Sequence, residues 1–370
     1  MKHYNKTLAL TLALTLLFSP LPVKGVDPLS VSAEAAVLTA DGQVIWSKNA
    51  DERLPMASTT KIMTALVAIE QGDITKAISV DGKACGVEGS SVYLTEGEVL
   101  TIEDLLYALM LESANDAAAA IACAVGGSIE RFAEMMNETA QRLGLDGTHF
   151  TNPHGLDDPE HYTTARDLAA LTDYALRNET FSAIVSTYKK TIPRGEEGVR
   201  LLLNHNRLLK QYDDVIGVKT GFTKRSGRCL VSAAARDGLT VVAVTLNAPD
   251  DWKDHRAMQE YGFARYSNRI LAEEGQFSLD ISCPTAPEGK LTLVNKDSLR
   301  LCLPVDAEVT RHMEAPHYVF PPVSEGDCIG RVVFSSDGKE IGAIPLYAAF
   351  SVPEPEDNRG FAEKLLDFIK

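Results

Sequence analysis

The sequence predicts an α+β fold followed by a small all-β domain. Two turn signals, Asp41-Gly42 and Asp237-Gly238, each lie between strand-like runs, which is the pattern of antiparallel β-hairpins. Between these hairpins the chain contains several runs with helical periodicity. After residue 275 the sequence consists of short β runs without a long helix. We therefore expect a mixed domain in residues 26–274 and a separate β domain in residues 275–352.

Residues 1–25 are predicted to be a secretory signal peptide. Lys2, His3 and Lys6 precede the apolar run Leu8–Phe18, and Val23-Lys24-Gly25 offers a small residue for cleavage. The run is short for a membrane span, and an uncleaved N-terminal anchor is the alternative interpretation. We therefore expect an exported, extracytoplasmic protein.

Charge and cysteine content exclude several classes of protein. Loss of residues 1–25 removes three lysines and no acid, which takes the formal net charge from −15 to −18. Such an acidic chain is a poor candidate for binding nucleic acid. The six cysteines lack the spacing of a metal site, so no metal is expected. A Cys302–Cys328 disulfide stays an open alternative.

Helical periodicity and capping signals predict the helices of the first domain. Thr101-Ile102-Glu103-Asp104 resembles a capping box, and Gly126-Gly127 stops an alanine-rich run. Six helices are predicted. The first follows Ser58 and ends at Gln71-Gly72, and the second begins at Thr101. The next two span Ala117–Val125 and Ser128–Leu143, the fifth begins near Thr163 or Thr164, and the sixth spans Trp252–Leu271.

Runs rich in β-forming residues predict the strands. In the first domain they are Ala35–Thr39, Gln43–Ser47, Leu230–Arg236 and Leu239–Leu246. In the second they are Phe277–Ile281, Leu291–Val294, Leu299–Leu303, Cys328–Phe334 and Ile341–Tyr347. Residues 353–370 are predicted to form a linker and a short amphipathic C-terminal helix.

Ser58 and Lys61 form the first candidate catalytic pair. Pro55 precedes them and an apolar helix follows, so Ser58 is expected at a helix start with Lys61 one turn later. A serine is made nucleophilic by a basic group at this distance. The simpler interpretation is a helix cap followed by a solvated lysine. The same Ser-x-x-Lys pattern recurs at Ser186–Lys189 and Ser336–Lys339 without a following helix.

Two further motifs complete a candidate site. Ser113-Ala114-Asn115 lies between two predicted helices, where a hydroxyl and an amide can face a cleft. Lys219-Thr220-Gly221 precedes the second hairpin and offers a positive charge, a hydroxyl and an open strand edge. Alone, the first tripeptide is more simply explained as an interhelical turn capped by Ser and Asn, and the second as a glycine bulge with an exposed lysine.

The three motifs together resemble those of penicillin-binding proteins and serine β-lactamases. The chain is most similar to the low-molecular-mass penicillin-binding proteins that act as serine D-alanyl-D-alanine carboxypeptidases of the S11 type. Further similarity lies in Leu111–Ala118, Phe150–Asp157 and His161–Asp167. The resemblance implies an antiparallel sheet packed between helices, followed by the small β domain.

The resemblance also implies an acyl-enzyme mechanism. Ser58 would attack the carbonyl between the last two D-alanines of a peptidoglycan stem peptide, and Lys61, as a neutral amine, would take its proton. Partial burial and the nearby cation Lys219 would lower the pKa of Lys61. Ser113 would relay the proton to the leaving amine, while the backbone N–H groups of Ser58 and Phe222 would form the oxyanion hole. β-Lactams would acylate Ser58 and act as inhibitors.

The remaining site residues would bind the substrate. Asn115 would hold a peptide carbonyl, and Lys219 and Thr220 would bind the terminal carboxylate. Gly221 and Phe222 would line the open strand edge. The resemblance implies no metal and no organic cofactor.

Two departures from the family pattern leave alternatives open. Some relatives place an arginine within the segment that corresponds to Asn204-His205-Asn206, so His205 is either a carboxylate-binding residue or a simple loop histidine. The terminal helix Phe361–Lys370 carries acids beside its lysines, so membrane contact and a packed or frayed terminus are equal alternatives.

Two rival functions fit parts of the sequence. A β-lactamase on the same fold needs a carboxylate over a water beneath the site, and Asp157, Asp158 and Glu160 lie in the predicted loop Thr148–Asp167. A wall-peptide or β-lactam receptor would use the same site without turnover. No apolar span suitable for a signalling receptor follows residue 25.

Overall fold

A computed structural model describes residues 29–195 and 198–354 of the 370-residue chain. The predicted signal peptide and C-terminal helix lie outside these residues. Across the described ranges, no helix combines the length and apolar character needed to cross a membrane.

Helices and strands occur in mixed order in the first two thirds of the chain. The helices are α1 (Lys61–Gln71), α2 (Ile102–Leu111), α3 (Asn115–Gly126), α4 (Ile129–Arg142), α5 (Ala165–Ala175), α6 (Glu179–Ser186), α7 (Leu208–Gln211) and α8 (Asp251–Arg265). The first strands are β1 (Ala35–Ala40), β2 (Gln43–Lys48), β3 (Ala77–Ser79), β4 (Val99–Thr101), β5 (Lys189–Pro193), β6 (Val199–Leu203), β7 (Val215–Thr223), β8 (Gly227–Arg236) and β9 (Leu239–Leu246). The later strands are β10 (Tyr266–Ala272), β11 (Ser278–Ser282), β12 (Lys290–Val294), β13 (Leu299–Pro304), β14 (Thr310–Glu314), β15 (Cys328–Ser336) and β16 (Lys339–Ala348).

A five-stranded antiparallel sheet of order β2-β1-β9-β8-β7 lies between two groups of helices. Val37, Val231 and Val244 belong to the core that the sheet shares with helices α1 to α6. Alternate residues such as Leu38 and Leu230 pack on the opposite side, against α8. Side chains therefore bury both faces of the central strands, and the predicted α+β sandwich is confirmed.

The capping signals mark the helix starts correctly. Thr101 and Asp104 form the predicted capping box, because the Thr101 hydroxyl accepts from Asp104 N at 3.0 Å and the Asp104 carboxylate accepts from Thr101 N at 3.2 Å. Thr164 caps α5 through its hydroxyl, which accepts from Asp167 N at 3.0 Å. Gly127 ends α3 in the left-handed conformation with φ 81°, which favours glycine.

The prediction of one long helix over Trp252–Leu271 is wrong. Helix α8 ends at Arg265, and Tyr266–Ala272 forms strand β10, which pairs antiparallel with β13. Aromatic and asparagine residues at the junction are weak helix formers, and pairing with a distant strand overrides the helical pattern. The pairing crosses residue 275, where the boundary between the domains was predicted.

The remaining strands of the C-terminal region form a second five-stranded antiparallel sheet of order β11-β12-β16-β15-β14. Its core contains Phe277, Leu291, Phe334 and Leu346, which pack together away from the first sheet. The all-β character of this region is confirmed. The short edge strand β14 was not predicted, because all five of its residues are exposed and largely polar.

A buried ion pair holds the hairpin β5–β6 against the segment before β4. The Arg200 guanidinium bonds both carboxylate oxygens of Glu98, and these side chains are only 9% and 3% exposed. Arg200 also donates to the carbonyls of Val92 and Tyr93, at 2.8 and 3.1 Å. Burial alone would raise the pKa of Glu98, but the bonds from Arg200 bring it below its ordinary value.

We expect Arg200→Met to lower the free energy of unfolding by about 3 kcal/mol, because it leaves the Glu98 carboxylate unpaired in a buried site. Urea unfolding at neutral pH measures the loss. Arg131→Met is the control, since its exposed partners Glu134 and Glu138 remain solvated and the midpoint should barely change. Equal midpoint shifts for the two variants would contradict a structural role for the buried pair.

Candidate active site

Ser58 lies in a 3₁₀ turn, Ala57–Thr60, that leads directly into α1. The predicted helix start is thus displaced by one turn, and the α-helix itself begins at Lys61. Ala57 has a positive φ of 48°, an uncommon conformation for a non-glycine residue. The turn therefore presents Ser58 on a constrained backbone at the N-terminal end of α1.

Lys61 is completely buried beneath Ser58 and lies among three oxygen atoms. Its Nζ lies 2.9 Å from Ser58 Oγ, 2.7 Å from Asn115 Oδ1 and 2.6 Å from the carbonyl oxygen of His154. Burial lowers the pKa of Lys61 well below its ordinary value, the Lys219 charge lowers it further, and Asp116 opposes the shift. The amine is therefore held next to the serine in a setting that favours its neutral form.

The second motif supplies one wall of the site. Ser113 lies at the corner between α2 and α3 with φ 60°, and Asn115 is the first residue of α3. Asn115 N donates to Ser90 O at 2.7 Å, and Asn115 Nδ2 donates to Glu88 O at 2.5 Å. These contacts fix the amide, which leaves its second N–H for a ligand.

The segment Glu88–Ser90 was not identified from the sequence. A Cβ on Gly89 would lie 2.7 Å from Asn115 Nδ2, so only glycine fits where the chain passes the amide. The signal for this contact is the Gly-Ser-Ser triplet, which is too common to be recognised alone.

Strand β7 forms the opposite wall and carries the third motif. Lys219 is buried, its Nζ donates to Thr220 O at 3.0 Å, and burial lowers its pKa to about 7. A Cβ on Gly221 would lie 3.0 Å from Ser58 N and 3.2 Å from Ala57 Cβ, so glycine permits β7 to approach the serine turn. Phe222 extends the strand, with its side chain 66% exposed.

The loop beneath the site holds the serine turn from below. Gly155 packs so tightly that a Cβ would lie 2.0 Å from the carbonyl oxygen of Ala57. Thr64 Oγ1 donates to Pro153 O at 2.6 Å. His161 Nε2 lies 2.7 Å from Thr60 Oγ1, and burial lowers the pKa of His161 to about 4. The sequence indicated this loop, but not that a backbone carbonyl in it would contact Lys61.

The motifs meet around one cleft of about 280 Å³. Of the predicted site residues, its walls expose Ser58, Ser113, Thr220, Gly221 and Phe222, while Lys61, Asn115 and Lys219 lie buried behind them. The cleft also includes Ser90, His205, Arg228, Cys229, Asp251 and Trp252, of which the sequence indicated only His205 as a candidate site residue. Among the residues with described positions, no three His, Cys, Asp or Glu side chains gather as a metal site.

The other Ser-x-x-Lys copies have a different setting. Ser186 ends α6 and Lys189 begins β5, whereas Ser336 and Lys339 lie on either side of the β15–β16 turn. Neither pair belongs to the cleft.

On the function that the resemblance implies, Gly221→Ala is expected to slow acylation of Ser58 by penicillin at least about tenfold, because the new methyl group presses β7 against the Ser58 N–H. Labelled penicillin measures the rate. Gly127→Ala is the control: its positive φ makes alanine strained, but it lies outside the cleft. That variant should lose stability and retain the acylation rate, and unchanged acylation in Gly221→Ala would contradict the role of this contact.

Comparison with known proteins gives a consistent result. A profile of the D-alanyl-D-alanine carboxypeptidase family, peptidase S11, matches residues 23–250. D-alanyl-D-alanine carboxypeptidase DacF of Bacillus subtilis is 30% identical over 88% of this chain and 87% of its own length. DacC of Escherichia coli is 30% identical over 93% of this chain and 89% of its own length.

Solved structures agree with the sequence relatives. Penicillin-binding protein 5 from Haemophilus influenzae superposes with a TM-score of 0.73 at 28% identity, covering 89% of this chain and all of that one. The Streptomyces K15 DD-transpeptidase gives a TM-score of 0.61 at 33% identity, covering 65% of this chain and all of that one. The chain belongs to the serine D-alanyl-D-alanine carboxypeptidase family, peptidase S11, and is a D-Ala-D-Ala carboxypeptidase.

Proposed function

We propose that this carboxypeptidase removes the terminal D-alanine from peptidoglycan stem peptides through an acyl-enzyme on Ser58. The observation that carries the proposal is the buried Lys61 amine, 2.9 Å from Ser58 Oγ, with its pKa lowered by burial and by Lys219. A neutral amine has two N–H donors and one lone pair. Asn115 Oδ1 and His154 O accept the two N–H groups, which directs the lone pair towards the Ser58 hydroxyl.

In the first step, Ser58 Oγ bonds to the carbonyl carbon between the two D-alanines while its proton passes to Lys61. Negative charge develops on the carbonyl oxygen, and the N–H groups of Ser58 and Phe222 stabilise it. The close approach of Gly221 to Ser58 N brings these two segments together.

In the second step, the C–N bond breaks and D-alanine leaves with a proton. Lys61 supplies this proton, and Ser113 relays it to the leaving nitrogen from the adjacent wall. Water then attacks the ester carbonyl and loses a proton to Lys61. The bond between the carbonyl carbon and Ser58 Oγ breaks, Lys61 returns the proton to Ser58 Oγ, and the shortened peptide leaves. Protons and electron pairs balance over the cycle without a redox partner.

Residues on either side of Ser58 in the cleft bind the substrate. Asn115 Nδ2 can donate its second N–H to a peptide carbonyl, while Lys219 and the Thr220 hydroxyl bind the terminal carboxylate. A bound carboxylate favours the ammonium form of Lys219, whose pKa is about 7 in the free site. β-Lactams that carry a carboxylate beside a reactive amide would enter in the same orientation and acylate Ser58.

Export to the outer face of the cytoplasmic membrane or the wall is part of the proposal. It is supported by the N-terminal charge and apolar pattern, and by the location of a peptidoglycan substrate. The amphipathic C-terminal segment stays a prediction, because it lies outside the described residues.

Ser58→Ala is expected to abolish D-alanine release from a peptide that ends in D-Ala-D-Ala, and Lys61→Met to reduce it at least about 100-fold through loss of the base. Quantification of free D-alanine measures both effects. Ser186→Ala and Lys189→Met are matched controls from a second Ser-x-x-Lys copy and should retain wild-type rates. Release by Ser58→Ala at the wild-type rate would overturn the proposal.

The penicillin acyl-enzyme is expected to persist rather than turn over within seconds. Asp157 is engaged by Thr223 Oγ1 at 2.9 Å, and Asp158 accepts from Glu160 N at 2.8 Å within its own turn. The carboxylates of Asp157 and Asp158 are therefore engaged in local hydrogen bonds, whereas a β-lactamase needs a carboxylate that activates water. Mass spectrometry of the mature protein after brief exposure to penicillin measures the adduct, and its loss within seconds would favour a β-lactamase.

A further inference from the structure

A second pocket, of about 310 Å³, adjoins the catalytic cleft, and we call it the Tyr93 pocket. The residues that line it include Ser91, Tyr93, Glu112, Arg194, Val199 and Leu201. Ser90 and Ser113 line the catalytic cleft, whereas their chain neighbours Ser91 and Glu112 line the Tyr93 pocket. The two cavities therefore share a wall at two points of the backbone, and a ligand that extends out of the cleft can reach the second pocket.

Tyr93 has an uncommon backbone conformation and an exposed ring. Its φ of 59° lies in the left-handed region, which is unfavourable for a bulky residue. Its N–H donates to Ser91 Oγ at 2.9 Å, and its carbonyl accepts from Arg200 Nη2 at 3.1 Å. The ring itself is 79% exposed. The strained conformation therefore does not bury the ring but presents an aromatic face to a ligand in the pocket.

A buried carboxylate holds the backbone on both sides of Tyr93. Asp116 is almost completely buried and accepts from Ser91 Oγ at 2.6 Å, Val92 N at 3.2 Å and Leu94 N at 3.0 Å. Three bonds from one short segment to one carboxylate fix that segment on α3. The position of the aromatic ring is therefore set before a ligand binds, which reduces the entropy lost on binding.

Arg200 holds the same segment from β6. All three of its guanidinium nitrogens donate within the protein, to the Glu98 carboxylate and to the carbonyls of Val92, Tyr93 and Pro193. Arg200 therefore positions the segment and is not expected to bind a ligand itself.

The rest of the lining combines apolar and charged groups. Val199 and Leu201 are exposed on β6, while Glu112 supplies a hydrogen-bond acceptor and Arg194 supplies donors. A purely apolar ligand would cover these charged groups without bonding them, which is unfavourable. A sugar ring matches the whole set, because its C–H face packs on an aromatic ring and its hydroxyl groups bond a carboxylate or a guanidinium.

We propose, on the basis of the function proposed above, that the Tyr93 pocket binds a sugar ring of the glycan strand to which the stem peptide is attached. An extended peptide of five residues spans at most roughly 18 Å, so a sugar attached to it can bind only near the cleft. The shared wall between the two cavities meets this requirement. Tyr93 is then a specificity residue that favours glycan-linked peptides over free ones.

The experiment compares D-alanine release from three substrates that share one peptide ending in D-Ala-D-Ala. The first is the free peptide, the second carries an N-acetylated disaccharide of the wall glycan at its N-terminus, and the third carries an apolar acyl group of similar size there. For wild type, kcat/KM should be about threefold to tenfold higher for the disaccharide peptide than for the free peptide, mainly through a lower KM. The acyl peptide should show little gain, because it cannot bond Glu112 or Arg194.

Variants at Tyr93 separate the ring from the backbone strain. Tyr93→Ala and Tyr93→Gly both remove the ring, but glycine adopts the positive φ without strain. In both variants, the ratio of kcat/KM for the disaccharide peptide to that for the free peptide should fall to about one. Tyr93→Phe keeps the ring and should keep the ratio. Tyr318→Ala is the matched control, since it removes an exposed tyrosine that lines neither cavity, and it should keep the wild-type ratio.

Three results would overturn the sugar site. They are equal kcat/KM values of wild type for the disaccharide and free peptides, an equal gain from the acyl group, and an unchanged ratio in Tyr93→Gly. In each case the release of D-alanine from the free peptide leaves the proposed function intact. If wild type releases no D-alanine from any of the three substrates, the proposed function itself fails, so the two failures are distinguishable.

Discussion

The site depends on one buried amine. A fully buried ammonium without a paired carboxylate is costly, so burial disfavours the charged form of Lys61 and lowers its pKa. Three separate segments bring an oxygen to this nitrogen: the serine turn, the first residue of α3 and the loop beneath the site. Hydrogen bonds to a single side chain therefore help to hold these three segments together.

Close backbone packing holds Ser58, the proposed nucleophile, in place. Gly155 contacts the Ala57 carbonyl from the loop, and Gly221 approaches the Ser58 N–H from β7. A Cβ at Gly155 would clash with the Ala57 carbonyl, and a Cβ at Gly221 would press against Ser58 N. The turn is therefore clamped between two backbones, which accounts for the persistence of the uncommon positive φ at Ala57.

The sequence predicted those features that depend on residue type and local spacing. Ser58, Ser113 and Lys219 belong to recognisable tripeptides or tetrapeptides, and the capping box at Thr101 and the hairpin turns are equally local. The carbonyl of His154 could not be predicted, because every residue has one and only tertiary packing brings it to Lys61. Strand β10 was missed for the same reason, since β11 and β12 separate it in the chain from its partner β13.

The two buried lysines explain how the same site can favour a neutral base and still accept a proton. In the free enzyme, any charge on Lys219 disfavours a second charge on Lys61. A carboxylate bound beside Lys219 compensates that charge, so the ammonium of Lys61 becomes less costly once substrate is present. Asn115 Oδ1 and His154 O are already positioned to accept from this ammonium without rearrangement. In the proposed mechanism, the carboxylate that anchors the substrate therefore also lowers the cost of the proton transfer that starts its cleavage.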